Sequence, residues 1–138
     1  MVKFPINYVT LEGPDLSGKT TFYNALHKLS KYSWNIQDRS SLSMCVHAEQ
    51  YNRPILQHKL NFDTELLNLN NRLILLLPDL NTIRNRYASR GDEMQTFRDI
   101  KKLYLVFKEH AKQLKNFPNV YILNESNLDE NISKVYDQ

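Results

Sequence analysis

The chain has 138 residues, 41% of them hydrophobic and 24% charged, with a formal net charge of +3. This length predicts one domain over 1–138, long enough to bury about two-thirds of its surface on folding, and the composition excludes a disordered or fibrous chain. The mild positive charge suits small anionic substrates and makes a nucleic-acid partner unlikely, while the single cysteine, Cys45, excludes an internal disulfide and fits a reducing, cytoplasmic setting. No secretion signal or membrane anchor is expected, because the N-terminus has no long apolar region and the longest apolar run, Leu73 to Leu77, is too short to span a bilayer.

The elements follow from the pattern of apolar residues. Ile6 to Leu11 is β-branched, aromatic and apolar, and predicts a buried strand. A glycine-containing loop at 13–20 leads into a helix over about 19–31, with Phe22, Ala25, Leu26 and Leu29 at helical spacing. Trp34 to Gln37 predicts a short extended piece ending in Asp38-Arg39. Ser40 or Ser41 can cap a helix reaching about Tyr51, and Pro54 suits the first turn of another over 54–60. Residues 61–71 are ambiguous, with Leu66, Leu67 and Leu69 favouring helix.

Leu73 to Leu77 predicts a central parallel strand that Pro78 terminates, and Asp79 suits the cap of a helix to about Ser89. Arg90-Gly91-Asp92-Glu93 breaks that helix. A long helix over about 95–116 carries Phe97, Ile100, Leu103, Tyr104, Phe107, Ala111 and Leu114 on one face. Asn119 to Leu123 predicts a further buried strand, and residues from Asn127 onward a closing helix with Leu128, Ile132 and Val135 inward. Strands alternating with helices predict an α/β three-layer sandwich of the P-loop NTPase type, with a small parallel sheet and helices on both faces.

The residues Gly13-Pro14-Asp15-Leu16-Ser17-Gly18-Lys19-Thr20 match the phosphate-loop pattern G-x-x-x-x-G-K-[ST], in the strand–loop–helix order that the motif requires. Glycines let backbone N–H groups close on a polyphosphate, and the following helix adds the positive end of its dipole. Lys19 would reach the β- and γ-phosphates of ATP, and the Thr20 hydroxyl would sit on Mg²⁺. Ligands of such sheets lie at the carboxyl ends of the strands, where the loop, Asp38-Arg39 and the Pro78-Asp79 turn all fall.

Other candidates have plainer readings. Asp79 is read as a helix cap rather than a metal carboxylate, Trp34, Tyr51 and Phe62 as core rather than base-stacking residues, and Cys45 as a small buried residue. The four histidines show no metal-ligand spacing.

The string Leu11-Glu12-Gly13-Pro14-Asp15-Leu16-Ser17-Gly18-Lys19-Thr20-Thr21 resembles the loop of the thymidylate kinase and deoxynucleoside kinase group. Asp38-Arg39, followed by Ser43 five residues after the Asp, resembles the Asp-Arg motif of thymidylate kinases, and Asp38-Arg39-Ser40 approaches the Glu-Arg-Ser of deoxynucleoside kinases. The segment around 86–95 resembles the group's lid. The resemblance implies a kinase that transfers the γ-phosphate of ATP to a (deoxy)nucleoside monophosphate, with thymidylate the first guess. It also admits a nucleoside kinase acting on a 5′-hydroxyl, a polynucleotide-end kinase, or a nucleotide-binding protein without turnover.

By that resemblance Lys19, Asp38, Arg39 and Arg90 are the catalytic set, with Asp38 joining Thr20 at Mg²⁺ or acting as base. Gly13, Asp15, Ser17, Gly18, Lys19, Thr20, Thr21 and Arg86 would hold the nucleotides, and a homodimer is compatible. Three positions depart from the group. Only about Tyr32 to Trp34 separate the first helix from the Asp-Arg strand, Leu16 stands where some members carry a loop arginine, and His47 stands where a tyrosine disfavours a 2′-hydroxyl. The chain therefore reads as a shortened member.

Overall fold

A computed structural model describes residues 8–38, 40–90 and 96–136. Four parallel strands, β1 (Tyr8–Glu12), β2 (Asn35–Asp38), β3 (Asn71–Leu76) and β4 (Val120–Leu123), form a sheet in the order β2-β1-β3-β4. Among the described residues six helices surround it: α1 (Lys19–Leu29), α2 (Ser41–Gln50), α3 (Leu56–Leu67), α4 (Leu80–Arg90), α5 (Phe97–Leu114) and α6 (Leu128–Tyr136).

The sheet is apolar on both faces because β3 alternates its side chains. Leu73, Leu75 and Leu77 pack against α2, α3, α4 and α5, whereas Ile74 and Leu76 pack with Val9 and Leu11 against α1 and α6. Helices thus cover both faces, giving the three-layer α/β sandwich. The chain leaves β1 into α1 on one face and β3 into α4 on the other. Their carboxyl ends therefore open a crevice between adjacent strands, where the phosphate loop sits.

The caps have local causes. The Ser40 side chain accepts Leu42 N–H at 3.0 Å and starts α2, while the neighbouring Ser41 hydroxyl donates to Glu65 Oε1 of α3 at 2.7 Å. Thr96 and Asp99 form a reciprocal capping box at the head of α5, whose seven expected core positions are all buried or half-buried. Asp79 Oδ1 accepts Thr82 N–H at 2.8 Å, so it caps α4, and this backbone hydrogen bond holds its carboxyl below the usual range.

Some expectations shift. The ambiguous stretch continues α3 as far as Leu67, and the helix begins at Leu56 rather than at Pro54. Leu29, expected on the buried face of α1, is exposed, while Phe22 and Leu26 of that face are buried. No helix among the described residues is long and apolar enough to cross a membrane.

Candidate functional site

The phosphate loop is held in a shape that few residues tolerate. A Cβ on Gly13 would lie 2.7 Å from the Leu76 carbonyl oxygen and 2.7 Å from Ser17 Oγ. Gly18 has φ of +86°, and Leu16 also adopts a left-handed φ of 65°, a conformation that costs a branched residue on the order of 1 kcal/mol or more. Arg86 of α4 braces this turn: its Nη1 donates to the Leu16 carbonyl at 2.7 Å and its Nη2 to the Ser126 carbonyl at 3.4 Å. Burial and the like charge of Arg90 push the Arg86 pKa below its ordinary value.

The helix that follows is prepared for an anion. Gly18 caps α1 without a side-chain hydrogen bond, and the first turn holds no acidic residue, so its N–H groups and dipole are uncompensated. Ser17 Oγ is buried with no hydrogen-bond partner among the described residues. A buried hydroxyl left without a partner beneath a phosphate loop suits a ligand oxygen or an ordered water.

Parallel pairing places Leu11 of β1 opposite Asp38 of β2, which brings the Asp38 carboxylate to the mouth of the loop. Lys19 Nζ lies 2.9 Å from Asp38 Oδ1. A cleft of about 230 Å³ spreads from the loop to Asp38, Ser43, His47, Arg90 and Phe107. A smaller hollow of about 120 Å³ continues on the far side of the loop, between Arg86, Arg90, Ser126 and Asn131. Of the residues expected in the site, Gly13, Asp15, Ser17, Gly18, Lys19, Thr20, Thr21, Asp38 and Arg90 line the main cleft together, and Arg86 lines the hollow behind it. Arg39 and residues 91–95 of the expected lid, where Gly91 would serve as a hinge, lie outside the described residues. Arg84 points away, 5.4 Å over the Phe97 ring.

Glu12 is the residue that sequence reasoning missed. It is fully buried, and its carboxylate accepts the Ser43 hydroxyl at 2.7 Å on both oxygens and Ser40 N–H at 3.1 Å. Burial raises its pKa from 4.5 to about 7 against the opposing pull of these bonds and of Lys19. A signal was present: Glu12 is an acid ending an apolar strand, and strand alternation sets it on the face opposite Leu11, where α2 packs.

The remaining candidates do not line the main cleft. Of the three aromatics expected in the core, Phe62 is buried and Trp34 packs at 5.2 Å on Tyr136, but Tyr51 is instead exposed, beside Arg53. Cys45 is buried, and burial with Glu49 nearby pushes its thiol pKa up. Among the described residues no cluster of three or more His, Cys, Asp or Glu stands ready to hold a metal ion. A larger cavity of about 720 Å³ between α2, α3 and α5 lies away from the loop, on the other side of Cys45 and Phe62.

Neither a family model nor a curated protein matches the sequence. Among solved structures, the chain is similar to the YorR protein of Bacillus subtilis, crystallised in complex with phosphorylated GDP. The TM-score is 0.65 over 86% of this chain and 85% of that one, at 20% sequence identity. What the two chains share at that identity is the three-layer α/β fold around a parallel sheet.

Proposed function

We propose that the chain is a cytoplasmic P-loop kinase that transfers the γ-phosphoryl group of ATP to a (deoxy)nucleoside monophosphate, thymidylate being the first acceptor to test. The observation that carries this reading is the pairing of a glycine-shaped phosphate loop with a carboxylate across one cleft, Lys19 against Asp38 at 2.9 Å. The fold shared with a protein crystallised on phosphorylated GDP supports it.

Phosphoryl transfer asks for positioning and charge neutralisation more than covalent help. The loop N–H groups and Lys19 hold the β- and γ-phosphates, and Arg90, bordering both hollows, stands where charge develops between donor and acceptor. Thr20 and Asp38 fit Mg²⁺, an ion that takes one or two protein oxygens and completes its shell with phosphates and water. Bound there, Mg²⁺ would neutralise charge on the transferring group. A monophosphate acceptor is its own nucleophile, so the site needs no strong base.

A second reading, a nucleoside kinase, is favoured by one observation: the Asp38 carboxylate is half exposed at the cleft mouth, where it can take a proton from a 5′-hydroxyl. A coupled ADP-release assay with Mg-ATP, run against nucleoside monophosphates and free nucleosides, decides between the two. Turnover with a monophosphate supports the first, and turnover with nucleosides alone the second. ATP binding without turnover of any acceptor would leave a nucleotide-binding protein. In an active kinase, Arg90→Ala should lower kcat by about a hundredfold or more while ATP binding survives.

A further inference from the structure

Glu12 is not among the residues lining the cleft, yet one of its partners, Ser43, is, and the other, Ser40, follows two residues after Asp38. It ends β1 immediately before Gly13, so its carboxylate is tied to the start of the phosphate loop. Its partners, Ser40 N–H and the Ser43 hydroxyl, lie on the stretch that leaves Asp38 and opens α2. That stretch follows β2, a four-residue strand that among the described residues pairs only with β1, so little else in the described sheet fixes where it goes. We propose that Glu12 is the positioning residue of this site: its carboxylate sets the Ser40–Ser43 stretch against the phosphate loop and, by accepting the Ser43 proton, fixes how that hydroxyl faces the cleft.

The chemistry explains why an acid stands there. A carboxylate presents two acceptor oxygens and no donor, so it takes the Ser43 proton and Ser40 N–H with no group of its own left over. Ser43 also borders the cleft, and its single proton is committed to Glu12. While Glu12 is ionised, the hydroxyl therefore offers the cleft lone pairs only. Its partner on the acceptor is a hydrogen-bond donor, a sugar hydroxyl or a base amino group, and not a phosphate oxygen. The acceptor's phosphate must then lie toward Lys19 and Arg90, with its sugar or base toward Ser43 and His47. Burying a carboxylate is costly unless the bonds it makes are needed, and burial has raised this one's pKa to about 7.

The proposal takes its catalytic meaning from the kinase reading but stands on geometry that can be measured without turnover. Glu12→Gln is nearly isosteric, and its amide protons face Ser43 Oγ. Amide hydrogen exchange of 36–47 should accelerate at least tenfold in this variant, while 97–114 exchanges as in the wild type. In an active enzyme kcat should fall at least tenfold, the acceptor KM should rise, and the Mg-ATP dissociation constant measured by calorimetry should stay within threefold. Ser43→Ala should act in the same direction, and the double variant should lose less than the product of the two single effects.

Wild-type exchange over 36–47 in both single variants would overturn the proposal. So would a parallel loss of Mg-ATP binding and turnover, the mark of general destabilisation. If the wild type turns over no acceptor, the kinase reading fails and the exchange result alone decides. If Glu12→Gln does not fold, Ser43→Ala decides by the same exchange measurement.

Discussion

Lys19 Nζ and Asp38 Oδ1 lie 2.9 Å apart, so the cation that would meet a triphosphate is already held by a carboxylate of the neighbouring strand. Phosphate must compete with Asp38 for this ammonium group. The pair is partly exposed, with side-chain exposures of 15% and 55%, so its net contribution to stability is small, under about 1 kcal/mol. Asp38→Asn should therefore bind metal-free ADP about threefold more tightly, yet lose turnover by about a hundredfold. Titration in chelator, beside the coupled assay, reads both. Unchanged ADP affinity would show that the pair does not hold Lys19 back. Lys19→Ala should abolish measurable phosphate binding, and retained binding would end the phosphate-loop reading.

Gly13 is required by packing rather than by its dihedral angles. A methyl group there meets the Leu76 carbonyl oxygen at 2.7 Å, and that atom belongs to the central strand and cannot move away cheaply. Gly13→Ala should cost about 2 kcal/mol, a fall in Tm of roughly 6–8 °C, and should weaken ATP binding by displacing the loop. Thermal unfolding with and without ATP measures both effects, and a wild-type Tm would contradict the close approach.

Arg86 offsets a strained turn. Leu16 holds a φ of 65°, and its carbonyl depends on the Arg86 guanidinium at 2.7 Å. Removing that donor should cost about 1–3 kcal/mol and raise the KM for ATP several-fold. Lysine cannot span two carbonyls with a planar fork, so Arg86→Lys should recover less than half of the lost stability. Recovery to the wild-type Tm would show that charge alone is sufficient.

Glu12 gives stability a pH dependence with a definite sign. In the unfolded chain its carboxyl titrates near 4.5, and in the folded protein near 7. The folded state holds the proton more tightly. The stability this contributes is fully present below pH 4.5 and is lost as pH rises through 7. At higher pH the ionised group costs on the order of 3 kcal/mol relative to acid conditions. Glu12→Gln does not titrate, so its Tm should rise relative to that of the wild type between pH 4.5 and 8. Parallel Tm curves across that range would refute the raised pKa.

Much of the site was legible because it is contiguous. Gly13 to Thr21 is one stretch, and its order of strand, loop and helix follows from local patterning. Asp38 was placed by the end of its strand, and parallel pairing opposite Leu11 turned that position into a contact with Lys19. The extent of α3 was not legible. Only Phe62 and Leu66 of that helix are fully buried, so its apolar stripe is too thin to separate from loop by spacing, and Leu67 and Leu69, which suggested helix, are exposed. Arg86 was expected to meet a nucleotide directly, and the structure adds that it spans 70 residues to hold the loop itself.

The sequence by itself determined the phosphate loop, the alternation of strand and helix, and the buried face of α5, because each depends on residues a few positions apart. Spacing of 2 or 3.6 is a local property of the chain. Tertiary structure alone decided the strand order β2-β1-β3-β4 and the partners of Glu12. Ser43 is 31 residues away from Glu12, and only the packing of α2 over β1 brings its hydroxyl to the carboxylate. An acid at the end of an apolar strand states that a compensating partner is needed, since burial without one is too costly. Which residue answers that need is settled only when the helix lies down on the sheet.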